Sequence, residues 1–126
     1  MTVRTPTTVY PMTIYHKPNC STSRNVLTLI RESGVEPEIV LYLETPPPKK
    51  KLRELAKAMG MGARELLRTK EAPYEELKLA DSKWTDDQLF DAIVEHPILL
   101  QRPIVVSPRG TLMCRPWGRV REILPA

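Results

Sequence analysis

Little in this chain invites a metal or a disulfide framework. It has two cysteines, Cys20 and Cys114, far apart in its 126 residues, and two histidines, His16 and His96. Neither pair falls in the spacing of a zinc site, and a framework of bridges needs more thiols at closer intervals. No metal and no bound cofactor is expected. No apolar run approaches the roughly 18 residues of a membrane-crossing helix, and the N-terminus lacks the apolar core of a secretory signal. A reducing cytoplasm is therefore the expected compartment, with no membrane partner. Basic blocks are scarce too. Lys49-Lys50-Lys51 is the only basic run. It follows Pro46-Pro47-Pro48 and heads a helix pattern, so it reads as a solvated face. With a net charge of +4, no nucleic-acid partner is expected. Internal repeats and low-complexity segments are also missing.

What is present is ordinary for a globular domain: 41% hydrophobic and 27% charged residues, in a length that suits one core. Residues 1–11, with four Thr and two Pro, show no periodicity and are expected as a flexible extension. Residues 12–126 are expected as a single domain.

The pattern of elements is strand, helix, strand, several helices, strand, strand, helix. The first strand is predicted at 12–16 and the first helix at 21–32, closed by Gly34 in a left-handed cap. The second strand is predicted at 38–43. Its nearly continuous apolar run, Ile39-Val40-Leu41-Tyr42-Leu43, suits a strand buried on both faces. Helices are predicted at 50–59 (closed by Gly60), 63–68, 74–77 and from Thr85 onward. Gln88 stands three residues after Thr85, the spacing of a capping box. Ile104-Val105-Val106-Ser107 and the residues from Thr111 to Cys114 read as a hairpin about Pro108-Arg109-Gly110. Pro116 suits the first position of a last helix over 117–124. This is an α/β order: a four-stranded mixed sheet flanked by helices, with a helical insertion after strand two.

The most informative stretch is Tyr15-His16-Lys17-Pro18-Asn19-Cys20-Ser21-Thr22-Ser23-Arg24-Asn25. It places Cys20 at or just before the first helix N-terminus. The free N–H groups and the positive dipole end there favour the thiolate over the thiol. Thr22, Ser23 and Arg24 add hydroxyl donors and a fixed positive charge, and the same end binds anions. Taken alone, the loop also fits a buried structural cysteine behind a Ser-rich cap. Ser23 stands three residues after Cys20, so the loop carries one thiol and cannot close its own disulfide.

With Cys20 at the end of strand one, this order resembles the thioredoxin superfamily. More closely, the chain resembles the glutaredoxin-dependent arsenate reductases, the ArsC family, and more loosely the Spx-type transcription regulators of the same fold. The resemblance runs over about residues 12–125. It is carried by Ile14-Tyr15-His16, Cys20-Ser21-Thr22-Ser23-Arg24-Asn25, Tyr42-Leu43-Glu44-Thr45-Pro46-Pro47, Glu65-Leu66-Leu67-Arg68 and Pro73-Tyr74-Glu75-Glu76-Leu77. It continues through Thr85-Asp86-Asp87-Gln88-Leu89, His96-Pro97-Ile98-Leu99, Arg102-Pro103-Ile104-Val105-Val106 and Cys114-Arg115-Pro116. Ser21 stands where the family often has Gly.

The resemblance implies a catalytic group of Cys20, Arg68, Arg102 and Arg115. His16, Thr22, Ser23, Arg24 and Pro103 would support the substrate or the loop, and Pro103 would follow a cis peptide bond. It implies an oxidoreductase of arsenic resistance. Cys20 attacks arsenate, and glutathione and glutaredoxin supply the reducing thiols. Arg68 and Arg102 would hold the oxyanion; Arg115 would hold the thiolate and the arsenic–thiol intermediate. Arginine suits such a substrate because its planar fork donates paired, charge-assisted hydrogen bonds to tetrahedral oxyanions. His16 serves equally as loop support or as filling of strand one. Cys114, Trp84, Phe90 and Trp117 read as packing residues. Three rivals stay open. Two are a general glutathione-linked thiol oxidoreductase, which needs Cys20 but not three arginines, and a non-enzymatic Spx-like regulator. A third is the same chemistry on another anion.

Overall fold

A computed structural model describes residues 10–125 of the chain. It separates into two units: the residues up to Leu41 together with those from Arg102 onward, and Tyr42–Gln101. The expected extension falls largely on residues 1–9, outside the described residues. Tyr10, near its end, donates its hydroxyl to the Ile123 carbonyl at 2.5 Å.

The first unit is built on a four-stranded sheet in the order β2-β1-β3-β4. Strand β1 (Thr13–His16) pairs in parallel with β2 (Glu38–Leu41) and antiparallel with β3 (Ile104–Ser107), which pairs antiparallel with β4 (Gly110–Met113). Ile14 faces Ile39 on one side and Val105 on the other, and Val105 faces Leu112. Helix α1 (Ser21–Glu32) connects β1 to β2 with the bounds its pattern predicts. Val26 and Ile30, four apart and so on one helix face, are fully buried; they join Ile14, Val35, Val105, Cys114, Val120 and Ile123 in one apolar cluster. Each large side chain buried this way contributes roughly 1.5–3 kcal/mol. Gly34 has φ 95°, the left-handed conformation that ends α1.

Strand β2 differs from the expectation. It is four residues long, lies at the sheet edge, and is half-buried apart from the exposed Glu38. The chain turns after Leu41, which buries Tyr42 fully and leaves Leu43 at 40% exposure. An apolar run alone does not distinguish an edge strand running into a turn from a central strand. The last segment also differs. Trp117–Ile123 is a 3-10 helix, whose three-residue turn sets Val120 and Ile123 on one face, and both are buried.

The second unit is helical. Helix α2 (Lys49–Met59) buries Leu52, Leu55 and Ala56 and ends at Gly60 with φ 69°. A 3-10 turn (Ala63–Leu66) stands where a helix over 63–68 was expected. Helices α3 (Ala72–Glu76) and α4 (Asp86–Glu95) follow, then a 3-10 turn at Pro97–Leu99. The Thr85–Gln88 capping box is formed: the Gln88 N–H donates to Thr85 Oγ1 and the Thr85 N–H donates to Gln88 Oε1. Leu89, Phe90, Ala92 and Ile93 are the buried face of α4. Lys49 bridges to Asp87 and Asp91, and Arg53 pairs with Asp87. Exposed pairs like these are worth about 0–1 kcal/mol each. Among the described residues no helix is long and apolar enough to cross a membrane.

Candidate active site

Cys20 is the N-cap of α1, with extended backbone angles of φ −103° and ψ 120°. Its N–H donates to the Lys17 carbonyl, and its carbonyl accepts the Arg24 N–H, both at 3.0 Å. As a thiol it makes no cap hydrogen bond. The charged form is another matter. Partial burial, the largest single influence, pushes the Cys20 thiol up. The Ser23 backbone N–H, the side chain and charge of Arg102, and the Thr22 backbone N–H together outweigh it and hold the thiol below its ordinary value. These donors are what an N-terminal turn offers a negative group. Cys20 is partly exposed, so it combines thiolate character with access.

Beneath the loop lies His16, at the end of β1 and 6% exposed. Its Nδ1 is 2.6 Å from Ser23 Oγ, and Ser23 is fully buried. The same Oγ accepts the Lys17 N–H at 3.2 Å. Burial foremost, then the Arg31 and Arg24 charges, push the His16 imidazole below 6.5. It is therefore neutral at neutral pH, and the tautomer decides whether Nδ1 or the Ser23 hydroxyl is the donor in this hydrogen bond. Of the two readings open for His16, the geometry favours loop support. On the outer side of the loop, Arg24 donates through Nη1 to the Pro18 carbonyl at 3.0 Å and Lys17 Nζ donates to Asn19 Oδ1 at 2.8 Å. The turn before Cys20 is thus tied to the first turn of α1.

Arg102 is 5% exposed and precedes the buried Pro103. The Arg102–Pro103 peptide bond is cis, as the resemblance implies, and so is Arg115–Pro116. Arg115 donates through Nη1 to the Arg102 carbonyl at 3.0 Å, which joins two distant segments of the chain. The guanidinium that acts on the Cys20 thiol is that of Arg102; the resemblance gives that role to Arg115. Cys114 lies one residue beyond β4, fully buried, and burial drives its thiol up to about 12. It stays protonated and serves as core.

Arg68 belongs to the second unit. A two-residue bridge pairs Leu67 with Leu100; the Arg68 N–H donates to the Leu99 carbonyl at 2.7 Å and the Gln101 N–H to the Leu66 carbonyl at 2.8 Å. Its Nε donates to Glu71 Oε2 at 3.0 Å in a largely buried pair. Glu71 was not singled out from the sequence, although a carboxylate three residues after Arg68 is the signal of such a pair. Trp117 was read as packing, yet it is 39% exposed. Among the described residues no cluster of His, Cys, Asp or Glu is placed to hold a metal. The arrangement around Cys20 offers a nucleophilic thiolate with cationic and N–H donors beside it, which suits attack on an oxyanion.

The comparisons with known proteins agree with that chemistry. An arsenate reductase of Escherichia coli strain K12 is 57% identical over 114 residues, covering 90% of this chain and 81% of the relative. The Escherichia coli K12 protein YfgD is 52% identical over 112 residues, covering 88% of this chain and 94% of the relative. The solved structure of an arsenate reductase from Vibrio cholerae superposes with a TM-score of 0.87 at 43% identity, covering 90% of this chain and 98% of that one. The ArsC family pattern matches residues 15–123, nearly the whole span in which the cysteine loop and both Arg-Pro pairs lie. The chain belongs to the ArsC family.

Proposed function

We propose that this protein reduces arsenate to arsenite, with Cys20 as the nucleophile and with glutathione and glutaredoxin as the sources of reducing thiols. The observation that carries the reading is the Cys20 thiol, held below its ordinary value by Arg102 and the α1 N-terminus in a loop with no second cysteine. Arg102 and Arg68 hold the arsenate oxygens, and Arg115 steadies the arsenic–thiol intermediate. His16, Thr22, Ser23, Arg24 and Pro103 keep the loop in shape. The Cys20 thiolate attacks arsenic, forms a sulfur–arsenic bond and releases one oxygen as water. Glutathione adds its sulfur to the adduct with loss of a second water. A glutaredoxin thiolate then attacks the glutathione sulfur. The electron pair of the sulfur–arsenic bond passes to arsenic, which becomes trivalent while still on Cys20, and a mixed glutathione–glutaredoxin disulfide leaves. Hydrolysis frees arsenite and regenerates Cys20.

The test is arsenate-dependent NADPH oxidation in the presence of glutathione, glutaredoxin and glutathione reductase. Wild type turns over and Cys20→Ser does not. A folded wild-type protein that stays inactive with a panel of glutaredoxins would falsify the reading. A second reading is the same chemistry on another tetrahedral anion, because the guanidinium of Arg102 and the N–H groups at the α1 N-terminus suit phosphate or sulfate oxygens as well as those of arsenate. Competition by phosphate and sulfate in the same assay separates the two, since a site made for either would bind it more tightly than arsenate.

A further inference from the structure

Trp117 is the one large hydrophobic side chain that the first unit leaves well exposed among its described residues. The Arg121 guanidinium lies over its ring, 5.7 Å from the centroid. A Cβ at position 118 would stand 3.0 Å from Arg121 Nη1, so Gly118 leaves the space through which Arg121 reaches the ring. The stretch Arg115-Pro116-Trp117-Gly118-Arg119-Val120-Arg121 holds three guanidinium groups and no carboxylate. Arg115, Pro116, Trp117 and Arg121 are all exposed. Arg119 is engaged within the protein, with the Met113 carbonyl at 3.4 Å and Glu122 at 3.8 Å. That leaves an exposed indole with the Arg121 guanidinium over its ring, close in sequence to Arg115, an exposed residue whose Nη1 is held by the Arg102 carbonyl. Trp and Arg together are the residues that most often anchor a protein interface.

The patch is joined to the reactive thiol through two residues. Arg115 donates to the Arg102 carbonyl, and Arg102 acts on Cys20. We propose that the Trp117–Arg121 pair, with the exposed edge of Arg115, docks an acidic face of the thiol-bearing protein that discharges the Cys20 adduct. The proposal rests on the reading that an external protein thiol completes the cycle. Charge selects the occupant: a basic patch attracts a carboxylate-rich face and steers its approach. Size selects a protein, because a flat exposed indole offers a tripeptide no enclosure but gives a folded surface a rigid anchor.

Two readouts test this on the full chain: binding of labelled glutaredoxin at low and high salt, and the KM for glutaredoxin and for arsenate in the coupled assay. Trp117→Ala and Arg121→Glu each weaken glutaredoxin binding and raise its KM by roughly fivefold or more, the loss expected of an interface anchor. The KM for arsenate stays within about twofold, because neither residue handles the anion. Trp117→Phe restores most of the binding. Salt weakens the wild-type complex more than the Arg121→Glu complex. Unchanged glutaredoxin binding in both variants overturns the docking site, as does wild-type binding that is absent from the start. Tighter binding of phosphatidylserine vesicles or of a DNA duplex than of glutaredoxin, lost in the same variants, also overturns it in favour of that polyanion. Arsenate turnover with an unmoved glutaredoxin KM sinks the docking alone. Glutaredoxin binding that the variants weaken, in a protein that does not reduce arsenate, sinks the arsenate reading alone.

Discussion

The two units of this protein divide charge unevenly. The helical unit, Tyr42–Gln101, carries ten Lys and Arg against eleven Asp and Glu; the α/β unit carries eight against four among its described residues. Among the described residues all the net positive charge therefore belongs to the unit that holds the sheet, α1 and Cys20. In the helical unit Lys49 pairs with Asp87 and Asp91, Arg53 with Asp87, Lys51 with Glu54, and Arg68 with Glu71; in the α/β unit Arg31 pairs with Glu36 and Arg119 with Glu122. In the α/β unit Arg102, Arg115 and Arg24 engage a thiol or backbone carbonyls. A guanidinium held by a backbone carbonyl, as in Arg115 and Arg24, keeps its charge available to an incoming anion. Local fields thus fit one unit to activate a nucleophile and the other to hold its own helices together, with Arg68 as its one contribution to the proposed chemistry.

That contrast can be broken at several levels. Ile30→Ala empties a fully buried position under α1 and is expected to lower the unfolding free energy by about 2–5 kcal/mol. The check is a shift of the denaturation midpoint at unchanged slope. Arg102→Ala is expected to lower turnover by about 100- to 1000-fold, the loss typical of one aligned donor at a developing charge. It also moves the Cys20 thiol up toward the ordinary 9.0, which the pH dependence of iodoacetamide labelling reads directly. Arg68→Ala is the matched control from the other unit: turnover falls and the KM for arsenate rises, while the labelling profile stays put. A profile that moves equally in both variants would erase the division between activation and holding.

Smaller effects sharpen it. Ser23→Ala removes the buried partner of both His16 Nδ1 and the Lys17 N–H and costs about 1–3 kcal/mol. The same cluster gives stability a pH dependence of known sign. Burial, then Arg31 and Arg24, hold His16 below 6.5, so the unfolded chain takes up a proton more readily than the folded one. This contribution is whole above about pH 6.5 and is lost as pH falls through the lowered value. His16→Asn flattens that slope in urea titrations at stepped pH. Smallest is Thr85→Ala, which opens the capping box of α4 for about 1 kcal/mol. Because Thr85 lies in the helical unit, the Cys20 labelling profile should not change at all.

Much of this architecture could be read from local signals. The bounds of α1, the glycines at 34 and 60, the Thr85–Gln88 box and the position of Cys20 each depend on residues within a turn or two of one another, and each is found where its pattern puts it. Where context decides, the pattern was insufficient. The run from Ile39 to Leu43 did not reveal that β2 is an edge strand ending at a turn. The segment after Pro116 has helical spacing but three residues per turn. Of the candidate site, Cys20 and its loop were readable because a helix N-terminus is a sequence-local feature. The link from Arg115 to the Arg102 carbonyl and the influence of Arg102 on the thiol were not, since they join residues far apart in the chain. Arg68 is a local case on both counts: its motif and its pairing with Glu71, three residues on, lie within one short stretch of the sequence.

The isolation of Cys20 has a consequence under oxidative stress. A peroxide converts an accessible thiolate to a sulfenic acid, and many redox proteins shelter that species by closing a disulfide to a second cysteine. Here the other cysteine is fully buried with its thiol driven up to about 12, so it has neither the access nor the thiolate to serve. A sulfenic acid on Cys20 must be captured by a thiol from outside before it is oxidised further to the irreversible sulfinic acid. The protein's survival in an oxidising cell is thus set by the surrounding thiol pool.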